Sequence, residues 1–79
     1  MKYVYILRSK NNPERHYVGV ALDLKRRLSE HNEGQSVHTR KFAPWELACY
    51  FAFTEHDKAD KFETYLKSGS GRAFAKGHF

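Results

Sequence analysis

The sequence predicts an α+β domain in which helices pack on a small, three-stranded mixed sheet, in the order β-β-α-β-α-α. Two short segments rich in β-branched and aromatic residues stand at the N-terminus, on either side of a polar Asn-Asn-Pro loop. A third such segment lies between two stretches with helical periodicity. The 79 residues allow one domain with one modest core. We expect that core over residues 1–68 and a basic C-terminal tail over 69–79.

The first two strands are predicted to form an antiparallel hairpin. In MKYVYIL, Tyr and Leu alternate with Val and Ile, so both faces of the first strand are expected to be at least partly buried. YVGVA is the second strand, where Gly19 near the end permits a bend or a close approach of the backbone.

The first helix is predicted from Asp23, as N-cap or first-turn residue, to about Asn32, and Gly34 ends it. Leu24 and Leu28, four residues apart, form its apolar stripe. A polar, basic loop follows, and it connects the helix to the third strand.

The third strand is predicted in WELACYFAFT, and a second helix follows it. Alternation places one set of strand residues on a common face: Leu47, Cys49, Phe51 and Phe53. The second helix is expected to start from a cap at Thr54 or Asp57 and to run to about Ser68. The sequence GSG then ends it, and the tail adds one or two further helical turns.

Polar residues stand on or beside both apolar helix stripes. Arg27 and His31, one turn apart, lie next to the stripe of the first helix, where a snorkelling arginine and a boundary histidine are common. Glu63 falls inside the stripe of the second helix, and a buried carboxylate is costly unless it is paired or binds a metal. Glu63 is therefore interpreted either as a salt-bridge partner, for example of Arg27, or as a ligand of a hard divalent cation.

The charge balance favours a polyanionic partner. Fourteen Lys and Arg oppose nine Asp and Glu, which gives a net charge of +5 and a pI near 9.5. Nucleic acid is the commonest such partner, although a protein that is simply basic has the same composition. The single cysteine, Cys49, cannot form an intrachain disulfide, which favours a reducing, cytoplasmic setting. No apolar run approaches the length needed to span a membrane, so no membrane association is expected.

The ordered motifs resemble those of the GIY-YIG nuclease superfamily, in particular its small stand-alone bacterial members. YVY at residues 3–5 matches the first motif and YVG at 17–19 the second. The spacing in YVGVALDLKRRLSEH matches the strand–helix element of the family, and DKFETYL matches the segment that carries its metal-binding glutamate. Each motif is weak alone, but the ordered set is specific. The corresponding positions are Tyr5, Tyr17, Arg27, His31 and Glu63.

This resemblance implies a DNA endonuclease that uses a single Mg²⁺ or Mn²⁺ ion bound to Glu63. Tyr17 would activate water with the assistance of Tyr5, and Arg27 would stabilise the transition state. His31 would orient the nucleophile or act as a base. The expected role is repair, recombination or DNA processing in the bacterial cytoplasm, with low sequence specificity. A weak homodimer is a further expectation, since cutting both strands requires two copies or two visits.

The chain departs from the family pattern at three points. Tyr3 stands where the first motif has glycine, Val20 replaces a lysine found in some members, and no asparagine follows Glu63. The Tyr3 departure is expected to change packing only, whereas the missing lysine and asparagine support an alternative, a non-catalytic nucleic-acid-binding module of the same fold. A third interpretation is a protein-interaction domain whose basic surface binds an acidic partner.

Basic and hydroxyl side chains outside the motifs are candidates for contacts with the nucleic-acid backbone. They lie in the first helix, the loop after it, the end of the second helix and the tail. The candidates are Lys25, Arg26, Thr39, Arg40, Lys41, Lys67, Arg72 and Lys76.

Overall fold

A computed structural model describes residues 1–78, apart from the side chains of residues 74–76 and 78. The strands are β1 (Lys2–Ser9), β2 (His16–Ala21) and β3 (Trp45–Phe53). The helices are α1 (Leu24–Asn32), α2 (His56–Lys67) and α3 (Gly69–His78), and a 3-10 helix over Arg40–Phe42 precedes β3. The predicted α+β class and the order of the elements are confirmed. Within residues 1–78, no helix combines the length and the apolar character needed to cross a lipid bilayer.

The sheet has the order β2-β1-β3 and is antiparallel throughout, so the expected mixed sheet was wrong. β2 folds back on β1 as a hairpin, and the chain then crosses through α1 to the opposite edge of β1. β2 and β3 run in the same direction, but β1 lies between them. Because the two strands never become neighbours, no parallel pair forms.

β1 is buried on both faces, as the sequence predicted. On one face Val4 and Ile6 pack with Ala59 and Leu66 of α2. On the other face the core is formed by strand residues and the stripe of α1: Tyr5, Leu7, Trp45, Leu24 and Leu28. The central strand therefore carries Tyr5 into the interior on the side that α1 covers.

A bulge in β3 changes which of its residues face the core. Ile6 pairs with Cys49, whereas the next residue, Leu7, pairs with Leu47, so Ala48 is the extra residue. Cys49 and Ala48 both pack on the α2 side, and Leu47 is exposed. The predicted common face holds beyond the bulge, where Phe51 and Phe53 both contact Phe62 of α2. The prediction was wrong for Leu47, because strict alternation ends at an extra residue.

The predicted ends of α1 are confirmed. The Asp23 carboxylate accepts a hydrogen bond from the backbone N–H of Arg26 at 3.0 Å, as an N-cap does. Gly34, with φ of 78°, follows the helix, and its N–H donates to the carbonyl of His31 at 3.2 Å.

The boundaries of α2 differ from the prediction. Its N-cap is Glu55, whose side chain makes no capping hydrogen bond, and neither Thr54 nor Asp57 holds that position. Ser68 ends α2 and begins α3, because its Oγ accepts a hydrogen bond from the N–H of Gly71 at 3.1 Å. GSG therefore starts a third helix of 10 residues, which is longer than the one or two turns expected.

Candidate active site

The hydroxyl of Tyr5 lies against the backbone of β2. Tyr5 pairs with Gly19 in the antiparallel register of β1 and β2, and only 2% of Tyr5 is exposed. A Cβ added at Gly19 would lie 2.6 Å from Cζ of Tyr5, which is closer than side-chain carbons approach. The close approach expected at Gly19 is thus made to the phenol of Tyr5.

His31 is fully buried and joins α1 to both neighbouring elements. Its Nε2 lies 2.9 Å from the Tyr5 hydroxyl, and its Nδ1 lies 2.7 Å from Oγ1 of Thr39. Its ring centre is 5.1 Å from that of Tyr17 on β2. His31 is consequently an interior residue, and the interpretation as a boundary histidine was wrong.

Thr39 is also fully buried, which corrects its assignment as a backbone-contacting residue for nucleic acid. Its hydroxyl is hydrogen-bonded to His31, so it does not reach a phosphate on the surface. Its carbonyl accepts a hydrogen bond from Nε1 of Trp45 at 2.8 Å. The carboxamide of Asn32 in turn bonds both the N–H and the C=O of Trp45, at 2.6 and 3.1 Å. These bonds fix the loop between α1 and β3.

Arg27 lies beside Tyr5 and is 42% exposed. Its Nε donates to the Tyr5 oxygen at 3.4 Å, and its Nη1 pairs with Glu30 at 3.0 Å. Arg27 holds the pKa of the Glu30 carboxyl below its usual value. Glu30 is not among the predicted site residues, although spacings of three and four residues from Arg27 and Arg26 are a recognisable signal for ion pairs.

Glu63 lies on α2, and its side chain is 22% exposed. Its carboxylate pairs with Lys67 at 3.0 Å, and the Lys67 ammonium lies 5.9 Å from the centre of the Tyr17 ring. The salt bridge suggested between Glu63 and Arg27 is not formed, since each has a partner on its own helix. The negative charge of Glu63 nevertheless acts on Tyr5, where it contributes to a raised pKa.

The electrostatics keep Tyr5 and His31 neutral near pH 7. Burial raises the pKa of the Tyr5 phenol, and the hydrogen bond and positive charge of Arg27 offset this effect only in part. Burial and the charge of Arg27 both lower the pKa of the His31 imidazole. The pKa of Arg27 is raised, chiefly by its hydrogen bond to Tyr5, so the site holds a permanent cation beside a neutral pair.

The structure brings the five motif residues to one region of the molecule, from four different elements. A cavity of about 330 Å³ opens beside Arg27 and His31 and extends along the loop at residues 35–38. Of the five motif residues, Arg27 and His31 line this cavity. The five residues are Tyr5, Tyr17, Arg27, His31 and Glu63.

The remaining basic candidates are distributed over several elements. Lys25 and Arg26 are exposed on α1, and Arg26 pairs with Glu30 at 3.3 Å. Lys41 lies 5.6 Å from the centre of the Phe42 ring, and Arg15, which the sequence analysis did not single out, lies 4.7 Å from it. Two further candidates are exposed, Arg40 and Arg72, and the side chain of Lys76 is outside the described residues.

The lowered pKa of His31 predicts that acid destabilises the fold. In the unfolded state this imidazole becomes protonated below about pH 6.5, whereas the folded protein keeps it neutral to a lower pH. The stabilising contribution is present above the unfolded pKa and is lost as the pH falls below it. The free energy of unfolding should therefore fall by up to about 1.4 kcal/mol per pH unit below that point.

Urea denaturation at a series of pH values from about 7.5 to 5 measures this dependence. A His31→Gln variant should show a shallower dependence on pH, and equal slopes for the two proteins would contradict the prediction. Titration of the His31 ring by NMR in the unmodified protein checks the lowered pKa independently of that variant.

The family model described as the GIY-YIG catalytic domain matches residues 1–76. The structure-specific endonuclease subunit SLX1 of Debaryomyces hansenii is 37% identical over 71 residues, which cover 81% of this chain and 20% of that subunit. This chain therefore spans about a fifth of the length of that relative.

A solved structure supports the same assignment. The solution NMR structure of a UPF0213 protein from Bacillus halodurans superimposes with a TM-score of 0.57 and 32% identity. The match covers 96% of this chain and 81% of the other. Since the family match spans nearly the whole sequence, this chain belongs to the GIY-YIG family.

Proposed function

We propose that this protein is a divalent-metal-dependent endonuclease that hydrolyses phosphodiester bonds in DNA. The observation that carries the proposal is the convergence of Arg27, Tyr17 and Glu63, from three elements, on the buried pair of Tyr5 and His31. A cation, a proton acceptor and a hard metal ligand are the groups that phosphodiester hydrolysis requires. Support also comes from membership of a family described by its catalytic domain and from a relative named as an endonuclease subunit.

The residues fit a single hard cation at Glu63. Its carboxylate is half-buried, and Lys67 is the one ion-pair partner it has among the described residues. Among the described side chains, no group of three or more His, Cys, Asp or Glu could surround a metal. Mg²⁺ and Mn²⁺ are often held by one carboxylate, with water and substrate phosphate as the other ligands. Glu63 would hold such an ion, which supplies Lewis-acid stabilisation of the reacting phosphate.

Arg27 is the proposed stabiliser of the transition state. Its guanidinium is partly exposed, and Nε and Nη1 already have partners in Tyr5 and Glu30, so its orientation is fixed before substrate binds. A preorganised cation stabilises charge that develops on a phosphoryl group without further reorganisation.

Tyr17 is the proposed acceptor of the proton of the attacking water. The ammonium of Lys67 lies 5.9 Å from the ring centre of Tyr17, and the position that carries a lysine in some family members is Val20 here. Tyr5, neutral because burial raises its pKa, assists as a hydrogen-bond donor. His31 orients Tyr5 and is not proposed as the base, because it is buried and both ring nitrogens are hydrogen-bonded.

We assign the remaining basic residues to contacts with the DNA backbone. Contacts to the backbone do not read base edges, which favours low sequence specificity. We also propose a role in repair, recombination or DNA processing in the bacterial cytoplasm. A weak homodimer is proposed for cleavage of both strands. The residues assigned to these contacts are Lys25, Arg26, Arg40, Lys41, Lys67, Arg72 and Lys76.

Nicking of supercoiled plasmid in the presence of Mg²⁺ tests the proposal through Glu63. A Glu63→Gln variant should lose activity by about 100-fold or more, because the amide is a poor ligand for a hard cation. Glu55→Gln, which changes an exposed carboxylate at the start of the same helix, should retain activity. Equal activity of the two variants would contradict the assignment of Glu63.

A second candidate function is binding of nucleic acid without cleavage. The ion pair of Glu63 with Lys67 favours it, since this pair already neutralises the carboxylate. Binding that weakens with salt, together with no cleavage under Mg²⁺ or Mn²⁺, would establish the binding module instead of the nuclease.

A further inference from the structure

We propose that Thr39 is a positioning residue that holds the ring proton of His31 on Nε2. The phenol proton of Tyr5 is thereby left for an acceptor beside Arg27. A chain of two hydrogen bonds runs from Tyr5 through His31 to Thr39. Its catalytic meaning rests on the proposed nuclease function. The direction of the chain itself is a structural property that can be measured without any activity.

This hydrogen-bond chain has one more donor proton than it has hydrogen bonds. Tyr5, neutral His31 and Thr39 each bring one proton, but only two bonds connect them. One donor must therefore be left at an end of the chain. In one arrangement the leftover proton is on Thr39, and in the other it is on Tyr5.

The two arrangements correspond to the two tautomers of His31. If Nδ1 carries the proton, it donates to Thr39, and the Thr39 hydroxyl must find another acceptor. If Nε2 carries the proton, it donates to the Tyr5 oxygen, Thr39 donates to Nδ1, and the phenol proton of Tyr5 is left over.

The end at Thr39 is closed. Thr39 is 0% exposed, and its Oγ1 has no hydrogen-bond partner besides His31 in the part of the chain whose side chains are described. A buried hydroxyl donor without an acceptor costs about 1–3 kcal/mol. The first arrangement would impose this cost permanently, because neither water nor substrate reaches the hydroxyl.

The end of the hydrogen-bond chain at Tyr5 is next to the partly exposed side chain of Arg27. The Tyr5 oxygen already accepts a hydrogen bond from Nε of Arg27, so a second bond from Nε2 of His31 fills its acceptor positions. Its own proton is then available to a water molecule or to a phosphate oxygen beside Arg27. The second arrangement therefore has the lower free energy, and it is the one that leaves a donor where the substrate binds.

Long-range proton–nitrogen correlation spectra of the imidazole rings test this arrangement at about pH 7.5. In the unmodified protein His31 should be in the Nε2–H form, and an Nδ1–H form would overturn the proposal. Thr39→Ser, which retains the hydroxyl, should give the same form. Thr39→Val, which is nearly isosteric but has no hydroxyl, should lose the single well-defined tautomer.

Nicking kinetics separate this role from a contact with DNA. Thr39→Val should lower kcat by about 10- to 100-fold with little change in KM, and Thr39→Ser should recover most of it. A rise in KM in the valine variant with an unchanged tautomer would overturn the proposal. If the unmodified protein does not nick DNA, the nuclease proposal fails, while the spectra still decide the tautomer. If Thr39→Val does not fold, the spectra of the unmodified and serine proteins decide it.

Discussion

Replacing Arg27 with alanine is expected to slow Mg²⁺-dependent nicking by about 10²- to 10³-fold, the cost of removing one preorganised stabilising group from a transition state. The guanidinium is the permanent cation next to Tyr5, and it is 42% exposed, so the fold should tolerate its removal. Thermal unfolding followed by circular dichroism should show a small change, while the rate falls.

Two variants sharpen the test of Arg27. Arg26→Ala removes a neighbouring arginine that pairs with the same carboxylate, Glu30, and it should reduce the rate only slightly. Arg27→Lys retains the charge but cannot reproduce the separate bonds of Nε to Tyr5 and Nη1 to Glu30. Most of the activity should therefore remain lost in the lysine variant. Equal rates for Arg26→Ala and Arg27→Ala would show that only bulk charge matters.

Replacing Gly19 with alanine is expected to have the largest effect on both stability and activity. The new methyl group would lie 2.6 Å from Cζ of Tyr5 and 3.1 Å from a ring carbon of Tyr17, so both phenols must move. Overpacking of this kind typically costs about 1–3 kcal/mol, which chemical denaturation can measure. Because Tyr5 is hydrogen-bonded to Arg27 and His31, its displacement should also abolish nicking.

Gly69→Ala provides the matched control, since no atom lies within 4 Å of a Cβ added at this position. The substitution is at the start of α3, and it should be neutral or slightly stabilising. If Gly19→Ala were as stable and as active as Gly69→Ala, the tight contact between Gly19 and Tyr5 would not be needed for the site.

Much of the fold follows from local patterns in the sequence. The apolar alternation of β1 and the cap at Asp23 are short-range features, and the structure has both. The orientation of β3 and its bulge at Ala48 depend on how β1 pairs along both edges. Pairing between distant segments leaves no local pattern, so a mixed sheet and a common face for Leu47 and Cys49 were expected instead.

The candidate site, like the fold, was predictable in part from local patterns. The spacing of Arg27, His31 and Glu63 identified side chains at unusual positions on two helices, and the structure places them in one region. The partner of His31 was not predictable. Thr39 lies in a polar loop whose sequence suggests exposure, and it is buried through tertiary contacts, of its hydroxyl with His31 and of its carbonyl with Trp45.

The most direct measurement of the central claim is one nicking assay on four proteins purified in parallel: the unmodified chain, Tyr17→Phe, Arg27→Ala and Glu63→Gln. Supercoiled plasmid is incubated with each protein in the presence of Mg²⁺ and, separately, of a chelator. If the site that contains these side chains performs the reaction, only the unmodified protein nicks efficiently, and chelation stops it. Equal nicking by all four proteins would contradict the account, because the activity would then come from elsewhere.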